Sequence, residues 1–316
     1  MRVPLPAAMI TMSSAMSVFQ IPKFRVFIIT VLCSVLTLGA GCSMLRIGYS
    51  QAPELAFWWL DGYADFNSEQ TPRVREALTQ WFAWHRRTQL PDYAAQFARA
   101  QTEVLADTSA ERVCAWQALV TQRAYSAFDR AVPAAADLML TISAPQIQHI
   151  ERRYAKVNAE FRDDYLQPSP AKRAAAAFKR TIDRAEMLYG TLDESQRARI
   201  SGSLARSPFD PEVWLAERSL RQQEALQMLR QFSGGAAASR EPAQAALRAY
   251  AQRMELSPRE EYRRYVQRLA EFNCAVGADL HNNTNAAQRR NAAQKLAGWE
   301  ADLRALASGA DAGTSN

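Results

Sequence analysis

Residues 143–165 read S-A-P-Q-I-Q-H-I-E-R-R-Y-A-K-V-N-A-E-F-R-D-D-Y. Ser143 and Gln146 are spaced as a capping box, in which the cap hydroxyl accepts from the third helical amide and the glutamine reaches back to the cap's own N–H. From there Ile147, Ile150, Tyr154, Val157, Phe161 and Tyr165 recur in steps of three or four. That spacing puts apolar side chains on one face of an α-helix. The predicted helix runs to Pro168, about 24 residues or roughly 36 Å. A strand would need strict alternation, and the stretch has none.

The same punctuation recurs on both sides. Capping boxes are predicted at Asn67/Gln70, Thr108/Glu111, Asp193/Gln196, Ser257/Glu260 and Asn285/Gln288. Ser169-Pro170, Asp210-Pro211 and Ser257-Pro258 place a proline after a capping residue, where its missing N–H costs nothing. Helical stripes follow: Phe178, Ile182, Ala185 and Leu188 up to Gly190; Tyr262, Val266, Leu269, Phe272, Val276 and Leu280; Leu296, Trp299, Leu303 and Leu306. Gly190 suits a left-handed helix end. A helix is also predicted from Asp210 to Phe232. No segment alternates over a strand's length, so the expectation is an all-α fold, a single elongated bundle of amphipathic helices without a sheet. Ser233–Pro242 is expected to be a flexible loop, and residues 308–316 a disordered tail.

Apolar residues at 48% and charged residues at 22% of 316 are enough for a packed core. The net charge of +6 is concentrated at the start, where residues 1–41 contain Arg2, Lys23 and Arg25 and no acid; the remainder carries +3. That surplus is too small and too dispersed to be a nucleic-acid footprint.

Lys23 and Arg25 precede an apolar run, Val26–Ala40, which ends in L-G-A-G-C-S. The run suits a signal-peptide core and falls short of the roughly 20 residues a membrane-spanning helix needs. The ending resembles a lipoprotein signal, whose cysteine is acylated and becomes the first residue. Residues 1–41 are therefore expected to be the signal, Cys42 the lipidated N-terminus, and 42–307 a helical periplasmic domain. Leu38 stands four residues before Cys42, where the usual pattern has three. The stretch before Lys23 is long, which leaves Met12 or Met16 as alternative starts. The resemblance implies that Ser43 directs sorting to the outer membrane. With Cys33 in the signal and Cys42 lipidated, Cys114 and Cys274 remain, in a compartment that oxidises thiols. A disulfide between them is expected; two separate buried thiols are the alternative.

Ten aromatic residues crowd the first part of the domain: Phe57, Trp58, Trp59, Tyr63, Phe66, Trp81, Phe82, Trp84, Tyr93 and Phe97. At helical spacing they read as core, with a binding groove as the alternative. Three stretches rhyme: Phe66–Gln70, Ile142–Gln146 and Leu192–Gln196. They resemble the Leu-Thr-x-x-Gln motif of small periplasmic stress chaperones, although a capping box explains the same letters without shared ancestry.

Chemistry-bearing residues are sparse. The three histidines, His85, His149 and His281, make no H-E-x-x-H pair, and zinc-ligand spacing, P-loop, nucleophile elbow and dinucleotide fingerprint are all missing. No metal or cofactor is expected. The candidate binding residues are Asp61 and Asp65, which share a predicted helix face; His85 and Arg86; Asp92 and Tyr93; and His281. Arg184 and Glu186 are a candidate buried ion pair.

The runs W-W-L-D-G-Y-A-D-F, W-H-R-R-T-Q-L-P-D-Y, E-R-R-Y-A-K-V-N-A-E-F-R-D-D-Y, R-A-E-M-L-Y-G, S-P-F-D-P and C-A-V-G-A-D-L-H-N together resemble a proteobacterial lipoprotein family, domain-of-unknown-function family 6279. The resemblance spans roughly Cys42 to Leu306. It implies a lipoprotein signal and one helical domain, and it carries no activity. Two functions stay open. One is a non-enzymatic, membrane-tethered module that binds an envelope protein or polymer. The other is an envelope-polymer hydrolase or transferase using His85 and nearby carboxylates.

Overall fold

The computed structural model describes residues 44–233 and 239–309. The expected signal, Cys42 and residues 310–316 lie outside the described residues. Eleven helices follow one another without a strand among the described residues: α1 Met44–Ser50, α2 Ala52–Ala64, α3 Gln70–Glu103, α4 Ala110–Met139, α5 Ala144–Tyr165, α6 Pro170–Tyr189, α7 Glu194–Ala205, α8 Pro211–Phe232, α9 Arg240–Glu255, α10 Glu260–Asn282 and α11 Ala286–Ser308. The fold is all-α.

Local chemistry sets most of the starts. Ser143, Asp193 and Asn285 form complete capping boxes with Gln146, Gln196 and Gln288, while Ser169 and Asp210 cap helices that open with proline. Two expected starts shift. Ser109, not Thr108, caps α4 by accepting from the Arg112 amide, because Thr108 is held instead by Asn282, which exchanges side-chain and backbone bonds with it at 2.8 and 2.9 Å. Ser257 and Pro258 lie outside α10, which begins at Glu260 with no side-chain cap. Gly190 ends α6 at φ 78, ψ −165, a region essentially reserved for glycine and different from the left-handed helical one expected. The tail begins later than expected, since α11 continues through Ser308 and is capped by Gly309 at φ 73. Likewise Arg240–Pro242 is the first turn of α9 and no longer loop.

Two prolines sit in helix interiors, Pro91 in α3 and Pro133 in α4. Each removes a backbone bond and crowds the preceding turn, at a cost of about 3 kcal/mol. Packing outweighs this. Leu90 and Ala94, on either side of Pro91, are buried against Leu303 and Leu306 of α11, and burying one leucine contributes roughly 2 kcal/mol. Val132 and Ala136 flank Pro133 and are fully buried as well.

The core consists of several linked clusters. Phe161, Trp214, Leu215, Tyr262, Val266 and Leu269 join α5, α8 and α10. Ile182, Ala185, Leu192, Ile200 and Ala292 join α6, α7 and α11. Met139, Phe232 and Ala243 join α4, α8 and α9. The last helix thus returns to the first long one, and Cys114 of α4 lies beside Cys274 of α10, with sulfurs bonded at 2.01 Å and Cα atoms 5.4 Å apart.

Candidate functional site

The aromatic segment assembles around His85 on α3. Trp81, one turn earlier, stacks on the imidazole with ring centres 4.8 Å apart, and Tyr93, two turns later, meets it edge-on at 5.5 Å. Tyr49 of α1 closes the cluster, its hydroxyl 2.9 Å from His85 Nδ1. Arg86 lies over the Tyr49 ring at 5.5 Å. Burial pushes the His85 pKa down and the Tyr49 phenol up to about 12. The ring is therefore neutral near pH 7 and the phenol protonated, so Tyr49 donates to Nδ1 and the ring hydrogen resides on Nε2. A neutral imidazole held by a phenol and two other rings is a packed element. Among the described contacts the ring's hydrogen-bond partner is the Tyr49 hydroxyl and no carboxylate bonds it.

The carboxylates expected nearby are held elsewhere. Asp92 makes a two-point ion pair with Arg123 of α4, which keeps its pKa below the usual range. Asp61 and Asp65 do not form a pair on one helix face. Asp61 accepts from the Phe66 amide at 2.9 Å, and Asp65 leaves the helix as its C-cap at φ 50. The helix ends before Asp65, so the i, i+4 geometry is lost. The Glu186 carboxylate binds Arg197 and the Leu192 amide, not Arg184.

His281 is buried at the end of α10 and works as a clamp. Its Nε2 is 2.7 Å from the Ala106 carbonyl, which can only accept, so Nε2 carries the hydrogen. Its Nδ1 lies 2.9 Å from the Tyr189 hydroxyl. Together with Asn282 it ties the α3–α4 loop to α10 and α6.

The largest feature missed by sequence reasoning is a pair of glutamine junctions. Gln70 and Gln146 face each other, as do Gln196 and Gln288, and all four are buried. In each residue Oε1 accepts from its own cap amide, at 2.9 to 3.2 Å. The capping box explains that half of the side chain. In each residue Nε2 also donates to the partner's Oε1 and to the backbone carbonyl five positions before the partner, at Thr141, Asp65, Asn283 and Thr191. A glutamate could cap a helix but could not supply these donors. The signal was present in the three rhyming stretches; the fourth, Thr284–Gln288, was hidden because threonine replaces the apolar first residue.

A second buried network centres on Glu217 of α8. Arg259 binds both of its oxygens at 2.5 and 2.8 Å and Arg221 binds one at 2.8 Å. Arg259 also reaches Glu224. Burial acts to raise the Glu217 pKa, but the two guanidinium groups overcome it and leave the group below the usual range. A cavity of about 10 Å³ between α7 and α10, lined by Arg199, Ile200, Ser203 and Asp279, has room for roughly one water. Among the described residues no group of three His, Cys, Asp or Glu side chains is placed to hold a metal ion.

The profile of the family of unknown function DUF6279 matches residues 62–271, two thirds of the chain. The chain belongs to this family. The match begins near the end of α2 and stops three residues before Cys274, so the shared part holds both glutamines of the first junction, Gln196 of the second and the Glu217 network, but not Tyr49 or His281. No curated protein and no solved structure matches the chain.

Proposed function

We propose that the chain is an exported lipoprotein, acylated at Cys42 and held on the periplasmic side of the outer membrane, whose helical domain is a non-enzymatic binding or scaffold module. The sequence Lys23–Ser43 carries this reading, with its basic, apolar and small-residue sections ending on a cysteine. Its partner would be an envelope protein or polymer. Support for binding over catalysis comes from the candidate residues themselves. Among the described contacts, Asp61, Asp92 and His281 serve a helix end, an ion pair and a clamp, and none of them bonds the His85 ring.

The test is labelling of cells with radioactive palmitate, comparing the full chain with Cys42→Ala, followed by separation of inner and outer membranes. Label confined to the unsubstituted chain and recovered with the outer membrane is the expected outcome. Equal labelling of both would overturn the anchor.

A further inference from the structure

The outer face of α1 and α2 is apolar and uncovered. Met44 is 78% exposed, Ile47 50%, Leu55 56%, Trp58 60% and Trp59 54%. Helical register runs through the turn between the helices, because Gln51 N–H bonds the Ile47 carbonyl and Leu55 N–H bonds that of Gln51. Steps of three and four therefore bring these side chains onto one stripe, along with Gln51 and two glycines. A Cβ added at Gly48 or Gly62 would meet no atom within 4 Å, so the stripe faces open space. The opposite face supplies the packing: Phe57 and Ala64 are buried there, and Arg75 lies over the Phe57 ring while pairing with Glu54. A helix apolar on both sides has a second surface to satisfy. Scattered exposed apolar residues are ordinary, but five on one stripe, two of them tryptophan, mark an interaction site.

We propose that this stripe lies in the headgroup region of the lipid bilayer, resting α1 and α2 flat on the membrane. The inference rests on the anchored reading above. Its independent argument is position and composition. Met44 is two residues from Cys42 and four from the end of the Val26–Ala40 run, so a lipid on that cysteine, or an uncleaved run, delivers the stripe to a bilayer. Tryptophan is the side chain that concentrates at the membrane–water boundary, its ring half in the acyl region and its N–H in the headgroups. The stripe itself carries no charged residue; the Glu54–Arg75 pair stands at its edge, the guanidinium 5.9 Å from the centre of the Trp58 ring, where polar headgroups can solvate it. At about 1.5 Å per residue, α1 and α2 form a rod of roughly 30 Å along the surface. Two signals, acyl chains and an interfacial face, hold a protein more firmly than one.

The full chain, isolated from cell membranes, is reconstituted into vesicles of phosphatidylethanolamine and phosphatidylglycerol whose acyl chains carry bromine, a contact quencher of tryptophan emission. Mass spectrometry of the N-terminal peptide records whether Cys42 is acylated. Quenching in the unsubstituted chain, weakened at least about twofold in Trp58→Ser/Trp59→Ser, is expected for rings at the interface. Val120→Ser, at an exposed apolar site on α4, should leave quenching unchanged. Circular dichroism checks that each variant keeps its helices; Ile47→Ser/Leu55→Ser, which spares every tryptophan, should reduce quenching by lifting the stripe. Equal quenching in the tryptophan variant and the unsubstituted chain, or none in either, overturns the proposal. So does a dimer of the solubilised chain that the tryptophan substitutions convert to monomer, which would assign the stripe to a second copy. Missing acyl groups with tryptophan-dependent quenching intact would remove the lipoprotein reading and leave the membrane face standing.

Discussion

The side-chain amides of Gln70 and Gln146 bond each other in both directions, at 2.7 Å from Gln146 Nε2 to Gln70 Oε1 and 3.3 Å in return. The two residues are 76 apart in sequence and each begins a long helix. The junction therefore sets the relative height of α3 and α5 while capping both. Gln196 and Gln288 repeat the arrangement between α7 and α11, at 2.7 and 2.9 Å.

Gln146→Glu keeps the cap but exchanges two amide hydrogens for a carboxylate oxygen facing the carbonyls of Ala64 and Asp65. Leaving buried groups unsatisfied costs about 1–3 kcal/mol each. The variant should lose about 2–4 kcal/mol in urea unfolding, and Gln288→Glu a similar amount. Ser143→Ala, which removes the cap and one hydroxyl bond to Gln146 Oε1 but keeps both amides of the pair, should lose about 1 kcal/mol. Stability of Gln146→Glu equal to that of the unsubstituted chain would mean that the amide pair contributes nothing beyond capping.

The Cys114–Cys274 bond closes a loop of 160 residues. Its restriction of the unfolded chain corresponds to about 5 kcal/mol in the chain-entropy description, an upper value because residual structure reduces it. Cys114→Ser/Cys274→Ser should unfold at clearly lower urea concentration, and reductant should lower the midpoint of the unsubstituted chain but not of the variant. Identical midpoints with and without reductant would contradict the bond's role.

His85 is a base whose folded pKa is depressed by burial. The unfolded chain then binds its proton first as pH falls, so the stability His85 supports is complete above the unfolded value near 6.5 and is lost on acidification below it. His85→Phe keeps a ring against Trp81 and has nothing to protonate. Between about pH 7 and 5 the unsubstituted chain should lose more stability than the variant. Parallel curves would show that the ring titrates as freely folded as unfolded.

Glu217 is 3% exposed, whereas Lys179 and Asp183 form a pair at the surface. Glu217→Gln strands Arg259 and Arg221 beside a neutral group and should cost about 3 kcal/mol. Asp183→Asn should change stability by less than about 0.5 kcal/mol. Because the Glu217 pKa is depressed, its contribution is present above the ordinary carboxylate range and disappears as pH falls through it. A thermal melt of each variant at neutral pH separates the two; equal shifts would refute the distinction.

Helix by helix, legibility followed the range of the forces involved. α5 and α6 were readable because a cap, a stripe and a stop mark each one locally, α11 from its cap and stripe, and α8 from its Asp210-Pro211 start. α3 was legible only in part: Val74, Leu78 and Trp81 share a face, but no single stripe runs its whole length and Pro91 argues for a break, which packing of Leu90 and Ala94 against α11 overrides. The aromatic segment was expected to be core, yet of its ten rings Phe57 alone is fully buried; the rings around His85 are half-buried, with Tyr93 and Phe97 packed against the Leu90–Leu306 cluster. Trp58 and Trp59 are the correction, since Phe57 and Ala64 take the packed side of α2 and rotate both indoles outward. Asp61 and Asp65 were candidates for a shared helix face, Asp92 and His281 for their chemistry, and a sequence does not show that Asp61, Asp92 and His281 already have structural partners.

By itself the sequence determined the all-α class, the starts of most helices and the absence of local catalytic spacings, because caps and helical periodicity act over three or four residues. Tertiary structure decided the pairing of the four glutamines, the partners of Asp92, His85 and His281, and which face of α2 stays open. Those depend on which helices become neighbours after folding, and that is fixed by packing between residues far apart in sequence, 31 positions for Asp92 and Arg123 and 92 for Gln196 and Gln288.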